Sequence, residues 1–333
     1  MKLLAVAILP WLVSLGARAQ APTVSKTGET RGLTAKFVDV NAFGTNIGTR
    51  YYEMGEGEPM VLVHGGGFDG RYSANHWDKV IPGLGERFHV FAPDKLAAGM
   101  TDNPPDDENL NIQGEVEHMY RFIQTMKLGQ VHLVGQSRGA GLALLFAVTH
   151  PEVVKTLVLI DSGTATPEDA CPGCSRIARD PCPTGDPDEY WQCLMRNLCF
   201  QPAVAFDDEY WAAGNYMATL PKARATVARK AAGAGGPGSN GFVDGVAWEE
   251  YKKTLHERLR NEALLQMPVL LYWAVNDPQA PALKNGVALY DILTEKHPNT
   301  RMMIVNKAGH FWWREHPDEF TYGLIGFIDY WNR

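Results

Sequence analysis

The 333-residue chain is 45% hydrophobic, 21% charged and 10% aromatic, ordinary globular usage that excludes a disordered, collagen-like or coiled-coil protein. Its 31 Lys and Arg against 38 Asp and Glu give a formal charge of −7 with no long basic run, which argues against nucleic acid as a partner. An α/β domain of this length buries roughly 75% of its unfolded surface, so folding requires neither a metal nor a disulfide framework.

At the start, Lys2 precedes an apolar run over residues 3–15, and Ala17-Arg18-Ala19 forms a small-residue cleavage site. This pattern predicts a secretory signal peptide over 1–19 and a secreted or periplasmic protein. A membrane anchor is the alternative, but the run falls short of about 30 Å of hydrocarbon and Pro10 interrupts it, so no stable anchor is expected. Cleavage after Ala19 leaves 29 basic against 38 acidic residues, a net charge of −9. Residues 20–34 are polar and read as a linker.

Short apolar runs follow, each ended by Gly, Pro or Asp. They predict strands over 60–63, 89–92, 131–134, 157–160, 269–273 and 301–305. Between them, residues 112–126 place Val116, Met119, Tyr120 and Ile123 on one helical face, and 140–148 is nearly all apolar, as suits a helix against a buried sheet. Alternating β and α units predict an α/β fold with a mostly parallel sheet and right-handed crossovers.

Two strand ends carry chemistry. His64-Gly65-Gly66-Gly67 follows the first predicted strand, and a glycine loop can bring bare backbone N–H groups to a developing oxyanion. Gly66 and Arg138 are the expected donor pair, with His64 holding the loop. The overlapping Gly65-x-Gly67-x-x-Gly70 also matches a dinucleotide fingerprint, but residues 71–75 do not read as a buried helix and nothing else supplies a cofactor site. Gly135-Gln136-Ser137-Arg138-Gly139 then sits between a strand and an apolar helix, the setting of a nucleophile elbow. Such a turn strains the backbone at Ser137 and crowds the residues two before and two after, where glycine fits.

The alternation stops at Gly163 and resumes near Met267. Residues 163–262 hold many prolines and aromatics and all five cysteines, Cys171, Cys174, Cys182, Cys193 and Cys199, and read as an inserted, mainly helical cap rather than a disordered linker. In an exported chain, cysteines predict disulfides, at most two bridges with one thiol over. Zinc at Cys171-x-x-Cys174 is the rival, weakened by the spacing of the others and the lack of interleaved His.

A serine nucleophile needs a base and a carboxylate to orient it. His310 lies in Ala308-Gly309-His310, just after the last predicted strand, and Asp277 follows the 269–273 strand; Asp161, ending the 157–160 strand, is the rival acid. The order Ser137, Asp277, His310 is that of the hydrolase elbow architecture.

Over residues 35–162 and 263–333 the sequence resembles the α/β-hydrolase superfamily. Ala92-Pro93-Asp94 with Gly99-Met100-Thr101 is similar to the loop after that family's fourth strand, and Gly309-His310-Phe311 with Glu315-His316-Pro317 to its histidine segment. Within the superfamily it resembles the capped carbon-carbon hydrolases of aromatic ring-cleavage products. It departs from them in carrying Gln136 and Arg138 where they have Asn and Met, and no single cap arginine (Arg176, Arg179, Arg196, Arg224 or Arg229) stands out as the one that would grip a substrate carboxylate. Ser137 rather than Asp separates it from epoxide hydrolases and haloalkane dehalogenases.

The expectation is an exported serine hydrolase with the triad Ser137, His310 and Asp277, needing no cofactor or metal. It would cleave a carboxylic ester or lactone of a small hydrophobic or aromatic compound, since Phe68, Phe311, Trp312 and Trp313 fall near the site, although they could equally glue cap to core. Carbon-carbon hydrolysis of a diketone-like substrate is the alternative, with a cofactor-free haloperoxidase or an aminopeptidase in the same group. A non-catalytic ligand-binding protein on the same fold is the alternative of another class.

Overall fold

Eight short runs form one sheet in the computed structural model, which describes residues 26–171, 181–237 and 245–333. The expected signal peptide and Cys174 lie outside the described residues. The strands are β1 (Ala35–Ala42), β2 (Thr45–Met54), β3 (Glu58–Val63), β4 (Phe88–Pro93), β5 (Val131–Gln136), β6 (Val154–Ile160), β7 (Val269–Ala274) and β8 (Thr300–Val305). Their order is β1-β2-β4-β3-β5-β6-β7-β8. β1 pairs antiparallel with β2 and β2 with β4; every other pairing is parallel.

All six residues of β5 and of β7 are buried, which is why they read as unbroken apolar runs. Alternate residues feed two cores. Val61, Leu133, Leu157 and Leu271 join one cluster; Leu62, Val134, Val158 and Tyr272 join the other. The helix Ile112–Thr125 starts at an Asn111 side chain that accepts from Gly114 N, and it buries Val116, Met119 and Ile123 against the first cluster, with Tyr120 partly buried beside them.

The six strands expected from apolar runs are all present, but the hairpin β1–β2 was not expected. Its outward residues are polar apart from Phe37 and its burial is broken, so no continuous run marks it. The available signal was its turn: Phe43 and Gly44 both have positive φ (55° and 74°) between the paired Ala42 and Thr45, the backbone of a two-residue hairpin loop.

Between β6 and β7 the chain forms the helices Pro187–Asn197, Asp208–Ala218 and Pro221–Ala231, the first two capped by the Asp186 and Asp207 side chains. A fourth, Gly245–Asn261, sends Trp248, Leu255 and Leu259 into the cluster that holds Leu271. Cys182 and Cys193 are bonded, Cys171 is also disulfide-bonded, and Cys199 is free. A bonded Cys171 is no zinc ligand, and among the described residues no group of three or more His, Cys, Asp or Glu could hold a metal. Among them too, no helix is long and apolar enough to cross a membrane.

A buried ion pair fixes the segment that follows the glycine loop. Arg50 on β2 donates to Asp94 Oδ1 (3.1 Å), Tyr52 Oη (2.8 Å), Asn75 Oδ1 (3.1 Å) and Gly28 O (3.0 Å), and Asp94 also accepts from Ala74 N (2.7 Å) and Met100 N (2.8 Å). Removing one partner strands the other charge, so Arg50→Ala should cost about 3–5 kcal/mol in urea unfolding, and a loss below ~1 kcal/mol would contradict this reading. Thiol titration of denatured, unreduced protein should find one free cysteine per chain; five would refute the bridges.

Candidate active site

The site begins where β5 ends. Ser137 has φ 53° and ψ −123°, a conformation that costs about 1–3 kcal/mol for a residue with a side chain and persists only when its surroundings over-determine it. Here Ser137 N donates to Ile160 O (2.8 Å), while Ser137 O accepts from Ala140 N (2.9 Å) and Ser162 Oγ (2.5 Å). The crowding expected around the turn is present. A Cβ at residue 135 would stand 2.3 Å from Gly139 O, and one at residue 139 would stand 2.4 Å from Val63 O, so both positions require glycine.

The glycine loop is held by its carbonyls. Lys95 N donates to His64 Nε2 (3.0 Å), which places the ring proton on Nδ1, and that Nδ1–H donates to Gly65 O (2.8 Å). Burial, then the nearby Lys95 charge, pushes the His64 pKa well below its usual value, so the ring stays neutral and the bonds keep this direction. In a trans peptide the N–H points opposite to the C=O, so anchoring Gly65 O aims Gly66 N–H away from His64. Gly66 itself has φ +74°, with the Tyr72 ring where a Cβ would be. By the same rule, Ser137 O bonded into the helix Arg138–Thr149 turns Arg138 N–H outward from the helix start.

His310 and Asp277, 33 residues apart, meet: His310 Nδ1–H donates to Asp277 Oδ2 at 2.7 Å, and both side chains are buried. Asp277 Oδ1 accepts from Gln279 N (2.7 Å). This tautomer leaves the lone pair on His310 Nε2, and the Gln136 amide lies 3.2 Å from it, also donating to His310 O (3.3 Å). Gln136 immediately precedes Ser137, so the His310 ring is held against the residue before the elbow. Sequence reasoning noted Gln136 only as a departure from the related enzymes; its side chain, one methylene longer than Asn, is what reaches the imidazole. Asp161, the rival acid, is spent elsewhere: its Oδ1 accepts from Ala274 N (2.8 Å), and its Oδ2 has no hydrogen-bond partner among the described residues. Burial and the Asp277 charge raise its pKa well above the usual carboxylate range.

The flanking aromatics divide. Phe311 contacts His310 (ring centroids 5.3 Å) and the cap residue Phe206 (5.2 Å). Trp312 packs on Tyr272 and Phe320, and Trp313 on Trp77, so these two belong to the core. Phe68 lies between Arg138 (4.3 Å from its ring centroid) and Lys230 (4.6 Å), and the Arg138 side chain pairs with buried Glu115, which also holds Lys95 (3.3 Å). Cap and core meet at the histidine loop: His310 N donates to Leu198 O (2.8 Å), and Glu315 accepts from both Gln201 N (2.6 Å) and Gly309 N (2.7 Å). A cavity of about 340 Å³ opens to one side, beside Asp69, Arg71 and Arg224, and is lined by neither Ser137 nor His310.

Comparison with known proteins places this geometry. Residues 58–173 match the family described as alpha/beta hydrolase fold. The chain is 40% identical over 124 residues to a 2-hydroxy-6-oxo-6-(2'-aminophenyl)hexa-2,4-dienoic acid hydrolase of Metapseudomonas resinovorans, covering 37% of this chain and 41% of that one. It is 36% identical over 116 residues to a 2-hydroxymuconate semialdehyde hydrolase of Pseudomonas sp. strain CF600, covering 35% and 40%. The matches thus span about two fifths of the length of these relatives. Among solved structures, a serine hydrolase involved in carbazole degradation superposes with a TM-score of 0.65 at 25% identity, covering 89% of this chain and 99% of that one. The eight-stranded, mostly parallel sheet, the strained serine turn at the end of β5 and these likenesses agree: the chain has the α/β-hydrolase fold, and its residues 58–173 match that family.

Proposed function

We propose that the protein is an exported hydrolase that cleaves a carbon-carbon bond in a diketone-like product of aromatic ring cleavage, with Ser137, His310 and Asp277 as its triad. The observation that supports this most is the 40% identity over 124 residues to a dienoic acid hydrolase. The ester and lactone chemistry expected from the triad alone shares the first half of the mechanism. Export rests on the N-terminal sequence pattern.

In this reading His310 Nε2 takes the proton from Ser137 Oγ as the oxygen bonds to the substrate carbonyl carbon, and the Asp277 carboxylate stabilises the imidazolium. Proton uptake requires the Gln136 amide to leave the Nε2 lone pair, so substrate entry must displace it. The carbonyl oxygen, now negative, takes hydrogen bonds from Gly66 and Arg138 N–H; losing one such donor typically costs about 10²–10³-fold. Collapse breaks the bond to the leaving carbon. Its electron pair passes into the conjugated fragment, which takes the proton from the His310 imidazolium, and an acyl group remains on Ser137. Water deprotonated by His310 then attacks the acyl carbon and releases the acid, restoring Ser137 and neutral His310. The reaction consumes one water and needs no cofactor.

Ser137→Ala should lower kcat by at least about 10³-fold while the circular dichroism spectrum stays native; retained turnover would mean another nucleophile. Asp277→Asn should cost about 10⁴-fold in kcat, with Asp161→Asn costing far less; the reverse order would move the acid to β6. A panel of ring-cleavage dienoates against p-nitrophenyl esters tests the bond class. A higher kcat/KM on the dienoates is expected, and turnover of esters alone would return the ester reading. Failure of Ser137 to react with a fluorophosphonate, with no turnover in either series, would leave a ligand-binding protein.

A further inference from the structure

Three buried charges stand behind the expected oxyanion donors. Glu115 lies in the first turn of the helix Ile112–Thr125, and its side chain is fully enclosed. Its Oε1 stands 3.3 Å from Lys95 Nζ, and its Oε2 accepts from Arg138 Nη1; both of those side chains are buried too. Charged side chains are seldom enclosed in this way, and apolar residues of similar size commonly hold a fold as well or better. Stability alone therefore gives no reason for the set.

The places that the two cations reach supply one. Lys95 holds both peptides that flank Gly66. Its N–H donates to His64 Nε2 (3.0 Å), whose Nδ1–H fixes Gly65 O (2.8 Å), and its Nζ donates to Gly66 O (2.9 Å). Gly66 is thereby kept at φ +74° with its N–H directed away from His64. At the other end, Arg138 opens the helix Arg138–Thr149, and its main-chain N–H is the second donor of the proposed mechanism. Glu115 thus links the residue that sets one donor to the residue that bears the other. The main chain already joins these segments once, where Gly139 packs on Val63 O and His64 O. One contact leaves two segments free to pivot about it; a second, made through side chains, fixes the angle between them.

We propose that Lys95 and Glu115 are positioning residues that act through this chain, holding the Gly66 and Arg138 N–H groups at one separation and direction before substrate arrives. The inference rests on the reading of those two groups as oxyanion donors, and it does not depend on which bond breaks afterwards. Donors set in advance need no reorganisation as charge develops on the substrate oxygen, so their alignment favours the transition state over the bound substrate. Loosening them should lower kcat and leave KM nearly as it was.

The test compares wild type with Glu115→Gln, which keeps the shape and removes the charge, on whichever substrate series the enzyme turns over. Rates are expressed per site titrated with a fluorophosphonate, so that unfolded protein does not count. Glu115→Gln should lose about tenfold in kcat with KM changed by less than about twofold, a smaller loss than the ~10²-fold or more of a deleted donor. A trifluoromethyl ketone, which forms a tetrahedral oxyanion with Ser137, should bind more weakly by about the same factor as kcat falls. Lys95→Met and Arg138→Met should each act likewise, and the double variant should lose little more than either alone, because both cations work through one carboxylate. Lys95→Arg, which keeps the cation, should retain more activity than Lys95→Met. If Glu115→Gln does not fold, the variants at 95 and 138 decide. A kcat within about twofold of wild type in folded variants, with only a lower Tm, is the result of a purely structural role and overturns the proposal. So do losses at 95 and 138 that multiply, or a ketone affinity that stays put while kcat falls. Ser137→Ala separates this inference from the reading beneath it. If that variant retains turnover, the triad itself is wrong and the positioning role goes with it; an inactive Ser137→Ala beside a fully active Glu115→Gln refutes positioning alone.

Discussion

The arrangement depends on one constraint: the chain must reverse from strand to helix at Ser137 faster than an ordinary backbone allows. The strain at φ 53° is tolerable because neighbouring groups fix both ends of the turn. Ile160 O on the adjacent strand takes Ser137 N–H, and the first turn of the following helix takes Ser137 O. The glycines at 135 and 139 follow from the same compression, since each would otherwise drive a Cβ into backbone rather than into a side chain that could move. Because Gly139 packs against Val63 O and His64 O, the elbow and the glycine loop are positioned by a single close contact. The nucleophile candidate and its oxyanion donors are therefore set by main chain, which is stiffer than any side-chain scaffold.

The cap is tied to the opposite wall by Arg314 and Glu315, two residues of one short helix. Arg314 donates to Ala205 O (2.8 Å) in the insertion and to Asn75 O (2.7 Å) and Asp78 Oδ1 (2.8 Å) on the core side. Glu315 bridges Gln201 N and Gly309 N, so one carboxylate spans the insertion and the residue before His310. Any movement that lifts residues 198–201 must break the His310 N to Leu198 O bond as well. Cap position and imidazole position are consequently coupled through hydrogen bonds that both require.

Local pattern exposed the parts of this design that local physics controls. The parallel strands are buried on both faces and so appear as bare apolar runs, and the serine turn needs its glycines at fixed offsets whatever surrounds it. The β1–β2 hairpin, with Lys36, Phe37, Asp39 and Asn41 of β1 exposed and only Val40 and Ala42 of that strand buried, left no such run. Long-range pairings were illegible for a different reason. The order of motifs favoured Asp277 over Asp161, but that Asp161 spends an oxygen on Ala274 N is a property of two strands meeting. Likewise, Arg138 pairs with Glu115 only because two helices lie side by side. Trp312 and Trp313 looked like site residues from their nearness to His310. A single helical turn carries them into the core instead, leaving Phe311 as the one aromatic of the three that touches the imidazole.

The division between backbone and side chain also bears on how bond type could be selected. In the proposed mechanism, attack on a carbonyl by Ser137 creates the same tetrahedral oxyanion whether the neighbour that departs is oxygen or carbon, so Gly66, Arg138, His310 and Asp277 would be neutral on that choice. An alkoxide can leave with a proton from His310 alone, whereas a carbon leaving group needs its electron pair spread over a conjugated chain several atoms long. That chain must lie somewhere beyond the reacting carbonyl. On the insertion side of His310 stand Phe311, Phe206 and Tyr210, aromatic surfaces that suit a planar apolar chain, with the Arg314 guanidinium over Phe206 (5.2 Å) and Tyr210 (4.5 Å). Under that proposal, discrimination between ester and carbon-carbon substrates would fall to the insertion and its contacts, the portion of the sequence with the least recognisable pattern.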